Sequence, residues 1–397
     1  MAHGGGGRLA LVQPIVAGLV AGVTGFASSF ALVIAGLRHT GADEAQASSG
    51  LLVVAVVTGV LGLALSLATR LPIAIVWSTP GAALLLASDT TAAFRDVVGA
   101  MLLAGALIAV TGMWPWLARL VTRIPKPIAS AMLAGILFPI CLAPVQAAVE
   151  WPLLALPIIL TWLVLARFAP RWAVPAAVLV TIVVVAVSSA GVDLGGAAPV
   201  LVLTAPGFDL ATVLGVGLPL YFVTMAGQNV PGIAVLQTFG YERVPVRSAL
   251  GLTGLGTALA APFGGIPGNL AAITAAMVAG PDAAPERERR WIAAVAAGAT
   301  MALLGLGAGL AAAIVTASPP IIITAVAGLA LLGALVASIS SALEDVEHRL
   351  VAIVTFLVAV SGISIAGVGS PFWALLVGGT VMLLFRRPRR TGRRTGG

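Results

Sequence analysis

Two short stretches carry the residues best suited to binding chemistry, because each interrupts an apolar run with Pro-Gly. Residues 77–84 read Trp-Ser-Thr-Pro-Gly-Ala-Ala-Leu, and residues 264–271 read Gly-Gly-Ile-Pro-Gly-Asn-Leu-Ala. Proline lacks the N–H that an interior helical turn needs, but it suits the first position of a new helix. Each stretch therefore predicts extended chain followed by a half-helix, and we expect Thr79 to cap the first one.

Backbone of this kind has a specific meaning inside a bilayer. It persists there only where it lines a cavity or is buried in protein, and paired breaks in corresponding halves are typical of a transporter site. Two helix N-termini facing one cavity favour a small anion such as a carboxylate. We expect the free N–H donors to belong to Gly81, Ala82, Gly268 and Asn269. The alternative is that Pro-Gly only kinks two packed helices.

Further polar residues lie at membrane depth outside these stretches. Gln228 and Asn229 carry amides whose unpaired burial is costly, so each must bind a ligand or form an interhelical hydrogen bond, and depth alone leaves both alternatives open. Ser28 lies beside Gly25, where small residues more often permit close helix packing. Phe26 suits stacking on an aromatic ring, although an apolar residue in an apolar helix more often only packs.

Catalytic and metal chemistry find little support in the sequence. His3, His39 and His348 all lie outside the apolar segments, and neither a metalloprotease motif nor a phosphate-binding loop occurs. We therefore predict no metal, no cofactor and no enzymatic activity. An intramembrane enzyme and a passive channel are the alternatives from other classes. The single cysteine, Cys141, forms no intrachain disulfide and is expected to be a small buried residue.

The composition explains what positions these residues. The chain is 60% hydrophobic and 9% charged, with a mean hydropathy of +1.11, which predicts an integral protein of the lipid bilayer. Apolar runs recur about every 25 residues and leave no room for a soluble domain. The first run extends from near Leu9 to Leu37, too long for the core of a cleavable signal peptide.

The apolar runs predict an all-α polytopic membrane protein with fourteen transmembrane segments. Seven segments per half form a 7+7 inverted repeat, in which repeat one covers 11–192 and repeat two covers 208–386. Spans 3 and 10 are each broken into a short extended segment and a half-helix. The expected spans are 11–37, 46–69, 71–91, 96–121, 126–148, 151–168, 171–192, 208–232, 246–261, 262–280, 290–315, 318–341, 349–368 and 370–386.

The positions of Lys and Arg agree with this count. If the N-terminus is cytoplasmic, all but Arg38 and Arg95 of the 21 Lys and Arg fall in cytoplasmic loops or the C-terminal tail. We therefore predict a multi-pass protein of a bacterial-type inner membrane with both termini in the cytoplasm. The net charge of +7 is then mainly a signal of topology, and nucleic acid is not an expected partner.

Several unusual motifs follow one another along the chain. They are Gln13-Pro14, Gly-Phe-Ala-Ser-Ser-Phe at 25–30, the first Pro-Gly stretch, Thr-Met-Ala-Gly-Gln-Asn at 224–229, Ala-Pro-Phe-Gly-Gly at 261–265 and Asn-Leu-Ala-Ala-Ile-Thr-Ala-Ala at 269–276. In this order they resemble the benzoate/proton symporter (BenE-type) family, which is similar in fold to uracil permease. The resemblance covers essentially the whole chain and implies one transporter unit over residues 1–397. Its core domain would comprise 11–121 and 208–315, and its gate domain 126–192 and 318–386.

The resemblance implies a secondary active transporter that imports benzoate or a related aromatic carboxylate with protons by alternating access. A nucleobase or inorganic-anion carrier on the same fold is the alternative, and a homodimer is an open alternative to a single chain. The polar and motif residues together predict a substrate site formed by Phe26, Ser28, Ser78, Thr79, Gly81, Ala82, Gln228, Asn229, Gly265, Gly268 and Asn269.

The sequence offers no obvious proton carrier for such a symporter. Every Asp and Glu maps to a loop or a span end. Relatives of the uracil-permease kind carry a carboxylate close to where this chain has Gln228, an amide that does not titrate. Our hypothesis is that the proton travels with the bound acid, and Asp89, the acid closest to a half-helix, is the main rival.

Overall fold

The computed structural model describes residues 6–88, 92–114, 125–188, 198 and 200–385, and most of these residues are helical. The helices are α1 Gly6–Ala27, α2 Phe30–His39, α3 Glu44–Thr69, α4 Thr79–Leu86, α5 Phe94–Met113, α6 Lys126–Glu150, α7 Pro152–Phe168, α8 Pro170–Ser188, α9 Leu210–Thr238, α10 Val246–Ala260, α11 Ala272–Ala279, α12 Trp291–Gly305, α13 Ala308–Ala317, α14 Pro320–Leu343, α15 Arg349–Val360 and α16 Ser370–Leu384. The strands are β1 Ile75–Trp77, β2 Gly268–Leu270, β3 Ser364–Ile365 and β4 Val368–Gly369.

Helix length and hydropathy confirm a polytopic membrane protein. Within the described ranges, seven helices are long and apolar enough to cross a membrane. The number rises to eight if α12 and α13, which meet at a 60° bend, form one span. Several expected spans correspond to shorter helices, including α7 with 17 residues and α15 with 12. The fourteen-span count, the inverted repeat and the division into core and gate domains stay predictions.

The two halves of the chain pack on each other through small residues. Gly59 on α3 and Gly298 on α12 face each other so closely that a Cβ on Gly59 would lie 2.5 Å from the Gly298 carbonyl oxygen. In a bilayer no hydrophobic force drives helices together, so close backbone approach and the resulting van der Waals contact stabilise such pairs. Helices α5 and α10 pack in the same way, as do α6 and α14.

The first Pro-Gly stretch forms an extended segment and a short helix, as expected, but the cap is a different residue. Ser78 is the N-cap of α4, and its Oγ accepts a hydrogen bond from the Gly81 N–H at 3.0 Å. Thr79 is already the first helical residue and Pro80 the second. The prediction that Thr79 caps the helix is therefore wrong, because the extended backbone that a cap requires is found one residue earlier.

The second Pro-Gly stretch does not begin a helix. Gly268 and Asn269 lie in β2, which pairs antiparallel with β1 so that Val76 faces Asn269, and α11 starts only at Ala272. The Gly268 N–H donates to the Thr257 Oγ1 at 3.0 Å, and a Cβ on Gly268 would lie 2.8 Å from the Thr58 Cγ2. The prediction that these two residues begin the second half-helix is wrong, because strand pairing keeps them extended.

Candidate substrate site

Four segments that are distant in sequence meet around the two strand ends. They are the break between α1 and α2 at residues 28–29, the start of α4, the start of α11, and a π-helical turn of α9 at Met225–Asn229. Each is a departure from regular α-helix, which leaves backbone or side-chain groups free to point away from the helix axis. Such π-helical turns are often found at functional sites.

The start of α4 is tied to α9 through Ser78. The Thr224 hydroxyl donates to the Ser78 Oγ at 3.0 Å, and both residues are fully buried. Because Gly81 donates to the Ser78 Oγ and Ala82 donates to the Ser78 carbonyl at 2.8 Å, neither N–H is free. The expectation that these two donors are available to an anion is wrong. The half-buried Thr79 differs, since its N–H and hydroxyl make no hydrogen bond to any described residue.

Aromatic rings and a serine fill the break between α1 and α2. The Trp77 Nε1–H donates to the Ser29 Oγ at 2.9 Å. The Phe26 ring stacks on Phe30 with centroids 5.5 Å apart and meets Trp77 edge-on at 5.6 Å. Ser28 is half-buried, and its hydroxyl donates to the carbonyl of Gly25 in the last turn of α1 at 2.9 Å. The structure thus places Phe26 in an aromatic cluster beside the start of α4.

The two amides of the π-helical turn have different surroundings. Asn229 is fully buried, its Oδ1 accepts from the Leu270 N–H at 3.0 Å, and its Nδ2 lies 3.3 Å from the Met225 Sδ. Of the two alternatives, Asn229 therefore makes the structural hydrogen bond, to strand β2. Gln228 is half-buried and only its Oε1 has a partner, the Ala272 N–H at 3.5 Å. Its Nε2 donates to none of the described residues.

Three other predicted site residues serve the framework. Asn269 is fully buried, and its amide is satisfied when the oxygen accepts from the Ser78 N–H and the nitrogen donates to the Leu270 carbonyl, each at 3.0 Å. Gly265 and Gly268 are buried against α10, where a Cβ on Gly265 would lie 2.6 Å from the Ala260 Cβ.

The first turn of α11 contains groups that the sequence analysis missed. The N–H groups of Ile273 and Thr274 have no acceptor among the described residues, and the Thr274 hydroxyl makes no hydrogen bond to them either. A methyl group added to Gly25 would lie 3.6 Å from the Thr274 Oγ1, so this hydroxyl faces α1. Ile273 is 68% exposed. Recognition of β2 as a strand would have moved the expected helix start to these residues.

Most unpartnered groups of the site are hydrogen-bond donors. The Thr79 N–H, the Gln228 Nε2 and the first-turn amides of α11 are all donors, and the hydroxyls of Thr79 and Thr274 are able to donate as well. No Asp or Glu occurs in the four segments, and the described residues hold no cluster of His, Cys, Asp or Glu that would bind a metal ion. Such a set suits a ligand that offers only acceptors. Asp89 lies outside the described residues, so its role stays a hypothesis.

Comparison with known proteins gives the following likenesses. A family model described as "Benzoate membrane transport protein" (BenE) matches residues 10–384. The chain is similar to the inner membrane protein YdcO of Escherichia coli, with 38% identity over 94% of this chain and 96% of the relative. It is also similar to the benzoate membrane transport protein of Acinetobacter baylyi, with 33% identity over 83% of this chain and 84% of the relative.

Two solved structures share the fold. The transmembrane domain of the cyanobacterial bicarbonate transporter BicA matches with a TM-score of 0.56 at 16% identity, covering 94% of this chain and 97% of that one. SLC26A9 matches with a TM-score of 0.57 at 13% identity, covering 94% of this chain and 65% of that one. At these identities the likeness concerns the fold alone.

Proposed function

The chain belongs to the benzoate membrane transport (BenE) family, and from this membership we propose that it imports benzoate or a related aromatic carboxylate with protons by alternating access. It is a membrane transport protein and not an enzyme. The proposal concerns the identity of the substrate, the coupling to protons and the mechanism of transport.

The predominance of hydrogen-bond donors in the site is the observation that carries the proposal. A carboxylate offers lone pairs and no hydrogen to donate, so it satisfies Thr79, Gln228 and the first turn of α11 at once. Each hydrogen bond to a charged group contributes about 1.5–3 kcal/mol, and two helix N-termini add a favourable dipole. A nucleobase presents several donors as well as acceptors, and for its N–H groups these residues offer only the two threonine hydroxyls as unpartnered acceptors.

The residues of the site divide into two proposed roles. We assign direct contact with the carboxylate to Thr79, Gln228 and Thr274, and contact with the ring to Phe26. The remaining predicted residues hold the two half-helices in place through their internal hydrogen bonds and close packing, and they are Ser28, Ser78, Gly81, Ala82, Asn229, Gly265, Gly268 and Asn269.

The proposed architecture is fourteen spans in a 7+7 inverted repeat with both termini in the cytoplasm. In it, α4 and α11 enter from opposite sides of the membrane with their N-termini at the midplane. Support comes from the strands that precede them, since β1 and β2 pair antiparallel with Val76 opposite Asn269. A core domain carrying both half-helices would move against a gate domain to expose the site to each side in turn.

We propose that the proton enters with the substrate. The four segments of the site contain no carboxylate and no histidine, so they offer no side chain that would carry it. A substrate carboxyl has a pKa near that of a side-chain carboxyl, about 4, and is able to carry the proton itself. In that form its O–H needs an acceptor, and the hydroxyl of Thr79 or Thr274 is able to accept it. Transport of the neutral pair would be electroneutral.

The test is uptake of labelled benzoate into proteoliposomes that contain the purified full-length chain. We expect saturable accumulation under an inward proton gradient, competition by salicylate, and no competition by uracil or sulfate. Competition by uracil instead would indicate a nucleobase carrier, and competition by sulfate an inorganic-anion carrier. Uptake that does not saturate would indicate a channel.

A further inference from the structure

The end of α11 that lies away from the site is held by a buried arginine. Arg290 is 9% exposed, and its guanidinium donates to three backbone carbonyls. The Nη1 bonds the Ala279 carbonyl at 2.8 Å, the Nε bonds Ala284 at 2.8 Å and the Nη2 bonds Pro285 at 3.4 Å. Ala279 is the last residue of α11. The side chain thus joins the helix terminus to the loop that follows it.

The charge of Arg290 is stabilised by backbone carbonyls and not by an acid. In the described part of the chain, no carboxylate lies within ion-pair distance of its guanidinium, and Asp282 and Glu286 on the same loop are exposed. Burying a cation without a carboxylate is costly unless its hydrogen bonds are satisfied. The last carbonyls of a helix lack partners and carry the negative end of its dipole, which favours a cation at this place.

The first half-helix has a comparable contact at its far end. The His39 Nε2 lies 3.1 Å from the Ser88 carbonyl, two residues beyond the end of α4 at Leu86. Since a carbonyl only accepts, the ring must donate from Nε2. Both half-helices therefore have a basic side chain at the end opposite the site. The one at α11 is permanently charged.

We propose that Arg290 is a positioning residue for substrate binding, because its three carbonyl contacts fix α11 so that the first-turn donors of this helix stay directed at the carboxylate. Helix α11 has eight residues, so its two ends are about 12 Å apart. Loosening the held end shifts the first turn, where the Ala272 N–H meets Gln228. This inference rests on the proposed function.

The deciding measurement is benzoate uptake by full-length variants in proteoliposomes. We expect Arg290→Gln to raise the KM about fivefold with little change in Vmax, since the dipole and contact energies at stake are of order 1 kcal/mol. Arg290→Lys keeps the charge but not the contact with three carbonyls, so its KM should lie between the KM of the wild type and that of Arg290→Gln. Arg289→Gln, next in the chain and without a side-chain hydrogen bond to any described residue, should match the wild type.

Two outcomes overturn the inference. One is an unchanged KM in Arg290→Gln, or in Arg290→Lys if the glutamine variant does not fold. The other comes from hydrogen exchange without substrate, in which Arg290→Lys should speed exchange of the hydrogen-bonded Ala272 and Ala275 amides at the start of α11 relative to Arg289→Gln. Equal exchange in both variants contradicts the positioning role. If the wild type takes up no benzoate, the proposed function fails, and the exchange experiment still decides the role of Arg290.

Discussion

The hydroxyl of Thr224 donates to the Ser78 Oγ at 3.0 Å and thereby joins α9 to the cap of α4. Ser78 accepts from the Gly81 N–H with the same oxygen, and Asn269 accepts from the Ser78 N–H. One serine thus connects the long helix, the first half-helix and the second strand. Displacement of any of these partners is expected to shift Ser78 and thereby weaken substrate binding.

Thr224→Val tests this connection by removing one donor while keeping the shape of the side chain. A buried hydrogen bond contributes about 1 kcal/mol, so we expect a lower melting temperature and a KM for benzoate raised by up to about fivefold. Thr238→Val on the same helix is the control, because Thr238 is exposed and bonds only to the Ala234 carbonyl of its own turn. Equal behaviour of the two variants would contradict the connection.

Thr79→Val and Gln228→Ala test the direct contacts with substrate. The Thr79 hydroxyl bonds no described residue, so Thr79→Val should leave the melting temperature nearly unchanged. Gln228→Ala also removes the Oε1 that accepts from the Ala272 N–H at 3.5 Å, so a small decrease is expected for this variant. Each variant should weaken benzoate binding about tenfold, the cost of a hydrogen bond to a charged group. The control is Gln237→Ala, an exposed amide on α9. Wild-type saturation curves in both site variants would remove these residues from the site.

Asn269→Ala should behave differently, because both polar atoms of this amide bond within the protein. Without the amide, the buried Ser78 N–H keeps only the Pro267 carbonyl as its acceptor, and the Leu270 carbonyl loses the donor that Asn269 provides. The loss of these hydrogen bonds should lower the free energy of unfolding by about 1–3 kcal/mol. We expect a clear loss of thermal stability together with reduced uptake. A variant with wild-type melting temperature and weakened binding would show that Asn269 contacts substrate directly.

The two Pro-Gly stretches show how far local sequence reasoning reached. At Pro80 the expected helix start was wrong by one residue, because capping depends on neighbours in sequence. At Pro267 the same dipeptide lies before a strand, since β1 provides a pairing partner that is remote in sequence. A local sequence pattern carries no information about that partner. The depth of Asn229 was predictable, but its bond to Leu270 required knowledge of the same strand pair.

Topology provides a test that is independent of substrate. In a Cys141→Ala background, a cysteine at Glu44 should react with an impermeant thiol reagent from outside the cell, and a cysteine at Glu288 only after the membrane is opened. Both side chains are exposed, so access is set by the side of the membrane. Reversed labelling would contradict the cytoplasmic location of the termini, and labelling of both from one side would contradict the span count.

Two hypotheses remain for the coupled proton: it travels with the substrate carboxylate, or Asp89 carries it. If the proton travels with the carboxylate, Asp89→Asn should accumulate benzoate under an inward pH gradient as well as the wild type does. A potassium diffusion potential should not change the uptake rate of the wild type or of Asp89→Asn, because a carboxylate that moves together with a proton carries no net charge. Asp96→Asn, at the start of α5, is the matched control for loss of an acid expected on the outer side.

The substrate carries a proton only while its carboxyl group is protonated. With a pKa of about 4, the protonated fraction of this carboxyl rises as the outer pH falls. We therefore expect the initial rate of uptake to rise as the outer pH falls from 7 toward 5 in wild type and in Asp89→Asn alike. If Asp89→Asn still exchanges labelled for unlabelled benzoate but no longer accumulates it under a pH gradient, Asp89 is the carrier. The substrate then enters as the anion, and the hypothesis that the proton travels with the bound acid is wrong.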